Sequence, residues 1–142
     1  MMKKICIASD HAGFNLKEEI KSYLTNIEAS VIDLGPFNDK SVDYPIYAQK
    51  VARRIGQKSS NIGILVCGSG TGMSISSNKF KGIRAAVCFN SKSTRLSREH
   101  NDANVLCLGS RFIKKNEAVK IVKIFLKTKF EGGRHLRRVK KI

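Results

Sequence analysis

Short apolar runs alternate along this chain with longer segments whose apolar residues recur every three or four positions. The runs are Lys4–Ser9, Ala29–Leu34, Ile62–Val66, Arg84–Phe89 and Val105–Leu108. Apolar stretches of this length, without strict alternation, predict strands buried on both faces, as in a parallel sheet. Between them, Phe14–Asn26 predicts a helix, with Leu16, Ile20, Tyr23, Leu24 and Ile27 along one stripe. A second helix is expected to begin at Asp43-Tyr44-Pro45, with Asp43 as candidate cap, and to end near Ile55 before Gly56. Thr71–Lys79, Ser91–Glu99 and Lys114–Lys127 complete the helices, the last with Ala118, Ile121, Val122 and Phe125 at helical spacing. Five strands alternating with helices predict an open α/β parallel sheet covered on both faces, in flavodoxin-like order 2-1-3-4-5.

In such a sheet ligands bind beyond the carboxyl ends of the strands, where the strand order reverses. That point lies between strands one and three. It brings together Ser9-Asp10-His11-Ala12-Gly13 and Cys67-Gly68-Ser69-Gly70-Thr71-Gly72. Glycines at every second position read as a tight turn that a ligand can approach closely, with helix amides behind it that favour an anion. The loop lacks the Gly-Lys-Ser/Thr ending of a phosphate-binding Walker loop and the spacing of a dinucleotide fingerprint, so nucleotide binding is disfavoured. Cys67 at its lip reads either as an inert core thiol or as a nucleophile or base. Asp10 and His11 read equally as helix cap and loop residue, or as groups that meet a sugar hydroxyl and a phosphate.

Composition narrows the class. A chain of 142 residues suits one domain, 1–142, with a basic tail from about residue 130. No apolar run approaches the roughly 20 residues of a membrane span, and the N-terminal segment reads as a first strand and not a signal peptide, so a cytoplasmic protein is expected. Cys6, Cys67, Cys88 and Cys107 show neither metal-ligand spacing nor a disulfide framework. The net charge is +16, and residues 111–142 carry 12 Lys/Arg against Glu117 and Glu131 alone. A nucleic-acid-binding module is one meaning of that excess, but no aromatic residues interleave the basic ones for base stacking. The favoured reading is a solvated cationic face plus a few arginines aimed at an anionic small molecule.

Taken together, the chain resembles the type B ribose-5-phosphate isomerases, within the wider family that includes galactose-6-phosphate isomerase subunits. Ser9-Asp10-His11-Ala12-Gly13-Phe14, Asp43-Tyr44-Pro45 and the glycine loop carry the likeness. So do Asn78-Lys79, Gly82-Ile83-Arg84-Ala85, Arg98-Glu99-His100-Asn101-Asp102, Gly109-Ser110-Arg111 and Gly132-Gly133-Arg134-His135. The resemblance implies a three-layer Rossmann-like sandwich that forms homodimers, in some cases tetramers, with sites at the dimer interface. It implies cofactor-free, metal-free interconversion of ribose 5-phosphate and ribulose 5-phosphate. In that reading Cys67 is the carbon base, Ser69 relays protons between oxygens, and His100 opens the furanose ring. The amides of Gly68, Gly70, Thr71 and Gly72 would stabilise an enediolate; Asp10, Tyr44 and Asn101 would contact the sugar; His11, Arg111, Arg134 and Arg138 would hold the phosphate. Where one subgroup has a glutamate base, this chain has Met73. A hexose-6-phosphate substrate is the nearest alternative, and a flavodoxin-like binding domain a more distant one.

Overall fold

The computed structural model describes residues 3–56 and 61–142. Five strands form one parallel sheet: β1 (Lys4–Ser9), β2 (Ser30–Asp33), β3 (Ile62–Cys67), β4 (Ala85–Val87) and β5 (Val105–Gly109). The helices are α1 (Phe14–Asn26), α2 (Tyr44–Gly56), α3 (Thr71–Ser77), α4 (Ser91–Asn101), α5 (Lys115–Lys127) and α6 (Arg134–Val139). The expected strands and helices all stand within two residues of their predicted ends. The stretch expected as a basic tail contains a further helix, α6. Ile27, placed on the α1 stripe by periodicity, lies one residue past the helix and is 49% exposed.

Each central strand feeds two cores, because successive side chains leave a strand on opposite faces. Ile5, Ile7, Ile64, Val66, Leu106 and Leu108 meet α1 and α5 on one side. Cys6, Ala8, Leu65, Val105 and Cys107 meet α2 and Met73 of α3 on the other. Gly63 has no side chain because α2 leaves none room: a Cβ there would stand 2.7 Å from Val51 and 3.1 Å from Val105. All four cysteines are free and buried. No described helix is long and apolar enough to cross a membrane.

The strand order is β2-β1-β3-β5-β4, which corrects the expected 2-1-3-4-5. Position follows burial. β5 is buried throughout and takes the interior place, whereas the three residues of β4 are half-buried and form an edge. The chain therefore steps out to β4 and back to β5. A right-handed crossover in that reversed direction places α4 on the α1 and α5 side, where it packs on α5. The outer edge of β4 is closed by Asn78, whose amide donates to the Ala85 carbonyl (3.0 Å) and accepts from its N–H (2.8 Å). An asparagine stands in for a neighbouring strand, which keeps that edge from recruiting another chain. The reversal point between β1 and β3 is unaffected.

One interior group was invisible in the periodicity. Lys17 of α1 is fully buried, and its Nζ donates to both Asp33 carboxylate oxygens (2.9 and 2.8 Å) and to the Pro36 carbonyl (2.9 Å). The rings of Phe14 and Phe37 lie 5.3 and 5.6 Å from the ammonium. Lys21 adds a second cation at 2.8 Å. Burial alone would raise the Asp33 pKa, but the bonds from Lys17, Lys21 and the Gly35 amide overcome it and hold the carboxyl below its usual range. The cluster anchors the start of the loop that leads from β2 to α2.

Removing one member of a buried pair strands the other charge, so Asp33→Asn is expected to destabilise the protein by about 3 kcal/mol in urea unfolding. Because the folded-state pKa is depressed, the Asp33 contribution is complete above the unfolded carboxyl value of about 3.9 and is lost as pH falls below it. The variant's stability should accordingly vary less than the wild type's across that acid range. Equal stability of the two proteins at neutral pH would count against this role for Lys17 and Asp33.

Candidate active site

The carboxyl ends of β1, β3 and β5 are drawn together by contacts that only glycine permits. A Cβ on Gly13 would stand 2.4 Å from the Val66 carbonyl oxygen, and one on Gly109 2.7 Å from the Ser69 backbone. The Asp10 amide donates to the Val66 carbonyl (3.1 Å), while Asp10 Oδ1 accepts from the Gly13 amide (2.9 Å). Asp10 thus braces its own loop without being the helix cap, and it stays 8% exposed. From β5, Ser110 N–H donates to Cys67 C=O (2.9 Å), Arg111 N–H to Gly68 C=O (3.0 Å), and Ser110 Oγ to Ala12 C=O (2.8 Å). Three loops become one rigid floor.

Above that floor opens a cleft of about 470 Å³ lined by Asp10, His11, Ala12, Tyr44, Cys67, Gly68, Ser69, Thr71, Gly72, Ile75 and Arg111. The loop glycines make room in it. The Arg111 guanidinium lies over Gly68, where a Cβ would stand 3.0 Å from Cζ, and the Tyr44 ring lies over Gly72, where one would stand 2.5 Å away. Gly70 turns the chain with φ +80° and donates its amide to Cys67 Sγ at 3.1 Å. Ser69 Oγ accepts from the Thr71 amide at 3.2 Å, which leaves its hydroxyl proton free to be donated. Two amides expected to face an anion are thereby engaged by the loop's own side chains. Met73 is fully buried in the core beneath. His11 Nδ1 stands 3.1 Å from the Val42 amide and 3.2 Å from its carbonyl, so either ring state finds a backbone partner.

The other predicted residues lie elsewhere. His100, Asn101, Arg134 and Arg138 do not line this cleft; Asn101 opens onto a second cavity of about 340 Å³ with Asn78, Arg84 and Ile142. The topology explains the separation. α4 runs from the carboxyl end of β4 back to the amino end of β5, so its last turn, with His100, sits at the far end of the sheet from Cys67. The six residues of β3 place those ends about 20 Å apart. Within one chain the two groups do not meet.

Around His100 the structure reveals partners that sequence reasoning missed. Its Nε2 lies 3.4 Å from Glu131 Oε1, and its ring stacks on His135 with centroids 4.2 Å apart and planes 13° from parallel. Desolvation, then the neighbouring His100 and Arg134, hold the His135 pKa below its usual value. Beneath them Arg98 is buried. It donates to Thr128 C=O (3.1 Å), Asp102 Oδ1 (2.9 Å) and Ala103 C=O (2.6 Å), and so fastens the end of α4 to the end of α5. Arg98 and Asp102 therefore fix the end of α4 that carries His100 and do not line the cleft.

Among the described residues, His100, Glu131 and His135 are the one group whose metal-ligating atoms lie within 4.8 Å of one another. An ion in the plane of one imidazole would lie out of the plane of the other, because the rings are nearly parallel. Arg134 and Arg138 add positive charge beside them. The trio is not arranged as a metal site.

The sequence profile of the Ribose/Galactose Isomerase family matches residues 5–142. A curated relative, ribose-5-phosphate isomerase B of Escherichia coli, is 48% identical over 141 residues, covering 99% of this chain and 95% of its own. The crystal structure of a ribose 5-phosphate isomerase of Thermotoga maritima superposes with a TM-score of 0.96 at 50% identity, covering 99% of this chain and 97% of its own. Ribose-5-phosphate isomerase B of Mycoplasma genitalium, solved with bound ribulose-5-phosphate, gives a TM-score of 0.95 at 47% identity, with 99% and 94% covered.

The glycine contacts separate two kinds of collision. Gly13→Ala drives a methyl into backbone that cannot yield, and is expected to cost about 2 to 3 kcal/mol of stability. Gly72→Ala meets the Tyr44 ring, which is 40% exposed and free to swing away, so stability should change by less than about 1 kcal/mol while turnover falls. Urea unfolding and a sugar-phosphate assay on both variants would check this. Equal destabilisation by the two would contradict it.

Proposed function

This chain belongs to the ribose/galactose isomerase family, and from that premise we propose how its residues divide the reaction. The protein is an isomerase that interconverts ribose 5-phosphate and ribulose 5-phosphate. The observation that carries the assignment of roles is a thiol at the mouth of a glycine loop, in one cleft with Asp10, His11, Tyr44 and Arg111.

Aldose–ketose isomerisation moves a proton from C2 to C1 through an enediolate. Cys67 as thiolate takes the C2 proton of the open-chain aldose, and the C2 electron pair flows into the C1–C2 enediolate. The same sulfur returns the proton to C1. Ser69 passes its hydroxyl proton to O1 and accepts one from O2, which balances the oxygens. With the Gly70 and Thr71 amides engaged by Cys67 and Ser69, Gly68, Ser69 and Gly72 supply the donors for the enediolate, an arrangement that lowers such barriers by several kcal/mol. Asp10 and Tyr44 bind the sugar hydroxyls. His11 and Arg111 meet the phosphate from this side.

Ring opening needs a proton donor, and His100 lies too far from Cys67 in its own chain to supply it. We therefore read the working unit as a dimer of identical chains in which His100, Asn101, Arg134 and Arg138 of one protomer complete the cleft of its partner. Exposed Ile75 at the cleft, Phe89 and Phe112 offer apolar surface for such an interface. In this reading residues 1–142 form one isomerase domain, at home in a cytoplasm where its four free thiols stay reduced.

Formation of ribulose 5-phosphate should fall by about 10³-fold in Cys67→Ala and by about 10²-fold or more in His100→Asn, with folding unchanged. Unfolding and refolding the two variants together should restore about a quarter of wild-type activity, since half the dimers are hybrids with one intact site. Full turnover by Cys67→Ala would overturn the choice of base. Mixing without recovery would overturn the shared site.

A further inference from the structure

The reading of His100 as ring-opening acid leaves open what holds its imidazole and which nitrogen delivers the proton. Both questions have an answer in the cluster at the end of α4. The stacked rings of His100 and His135, with centroids 4.2 Å apart, cannot both carry charge without mutual repulsion. Their surroundings differ. His135 is flanked on α6 by Arg134 and Arg138, which disfavour a further positive charge on it. His100 has a carboxylate, Glu131, 3.4 Å from Nε2. The nearby Asp102 is already committed to Arg98 and Arg84, at 2.9 and 3.5 Å. Glu131 also lies within 4.8 Å of a His135 ring nitrogen, but its ion-pair contact is with His100 Nε2.

We infer that Glu131 is a positioning residue for ring opening: its carboxylate takes the Nε2 side of His100, the His135 ring fixes the imidazole plane, and Nδ1 is left as the nitrogen that meets the sugar. This rests on the proposed role of His100. In the step itself the Nδ1 proton passes to the ring oxygen as the C1–O bond breaks. The C1 hydroxyl loses its proton to water as the aldehyde forms, and His100 recovers one from water. The sugar's proton count is unchanged. The backbone supports the arrangement without the side chain, because the Glu131 amide donates to the Glu99 carbonyl at 3.1 Å whatever residue stands there. Glu131 itself is half exposed, so replacing it leaves no buried gap.

The test separates ring opening from proton transfer at carbon. Ribulose 5-phosphate has its O5 phosphorylated and no furanose form, so exchange of its C1 hydrogen with solvent deuterium needs Cys67 but no ring-opening acid. Glu131→Ala is expected to lower turnover of ribose 5-phosphate about tenfold while leaving C1 exchange within about twofold of wild type. Glu131→Gln, whose amide oxygen can accept a hydrogen bond at the same place, should recover part of the loss. Nitrogen-15 NMR of His100 should show the neutral ring protonated at Nε2 in the wild type and mixed between tautomers in Glu131→Ala. Unchanged turnover and tautomer in Glu131→Ala would overturn the inference, and so would an equal loss of turnover and exchange, which marks a structural role only. His100→Asn, run beside them, tells the two failures apart. If it loses turnover but not exchange while Glu131→Ala loses neither, only the Glu131 assignment falls. If His100→Asn keeps full turnover, the acid reading falls and takes the Glu131 assignment with it.

Discussion

The length of β3 governs the rest of the molecule. The first five of its six buried residues carry no polar side chain, so the groups proposed for chemistry stand at one end of the sheet or the other, Cys67 at the strand's carboxyl end. At the carboxyl end stand Cys67 and the groups of its cleft; at the amino end stand His100, Asn101 and the arginines of α6. Shortening the separation would mean opening the core, because Leu65 and Val66 pack against opposite helical layers. In the proposed reaction a chain built this way presents half a site on each of two surfaces. Association of two copies is then a geometric requirement of the proposed reaction and not an addition to it.

Much of this was legible in the hydrophobic pattern. β1, β3 and β5 are apolar on both faces, which periodicity reports directly, and α1, α2 and α5 each bury one clear stripe. What failed to show has a physical reason in each case. β4 is three half-buried residues, too short to state whether it belongs at an edge or inside, and the order of β4 and β5 turned on that point. α6 has no buried residue, so its six positions carry no stripe to read. Lys17 follows Leu16 on α1 and reads as a solvated lysine; only Asp33, brought close by the pairing of β1 with β2, makes its burial tolerable.

The glycine loop was legible as a place of close approach but not as to what approaches. Its glycines admit a guanidinium at Gly68 and a phenol ring at Gly72, both belonging to the protein. Likewise the motifs rich in polar residues divide between chemistry and support. Asn78 closes the β4 edge, Arg98 and Asp102 tie α4 to the chain beneath it, and Asn104 accepts from the Arg84 amide and donates to the Gly82 carbonyl. Spacing in sequence does not distinguish such braces from ligands of a substrate. Hydrogen bonds do so for Asn78 and Asn104, whose side-chain amides have both a donor and the acceptor taken up by backbone.

The contrast in exposure between the two proposed proton-transfer groups follows the demands of their steps. Cys67 is 4% exposed, whereas the His100 side chain is 38% exposed. A proton taken from carbon and returned to the neighbouring carbon is best kept from water, since exchange or loss of the enediolate competes with the second transfer. Opening a hemiacetal instead releases one proton and consumes another at different oxygens, so its donor must be replenished after each turnover. An exposed imidazole beside a carboxylate can recover a proton from solvent at once; a nearly buried thiol at a glycine loop exchanges the one it has taken more slowly. Placing the two at opposite ends of the fold lets each keep its own degree of hydration. In the proposed dimer a second chain covers the cleft, and there the two groups would act on one sugar.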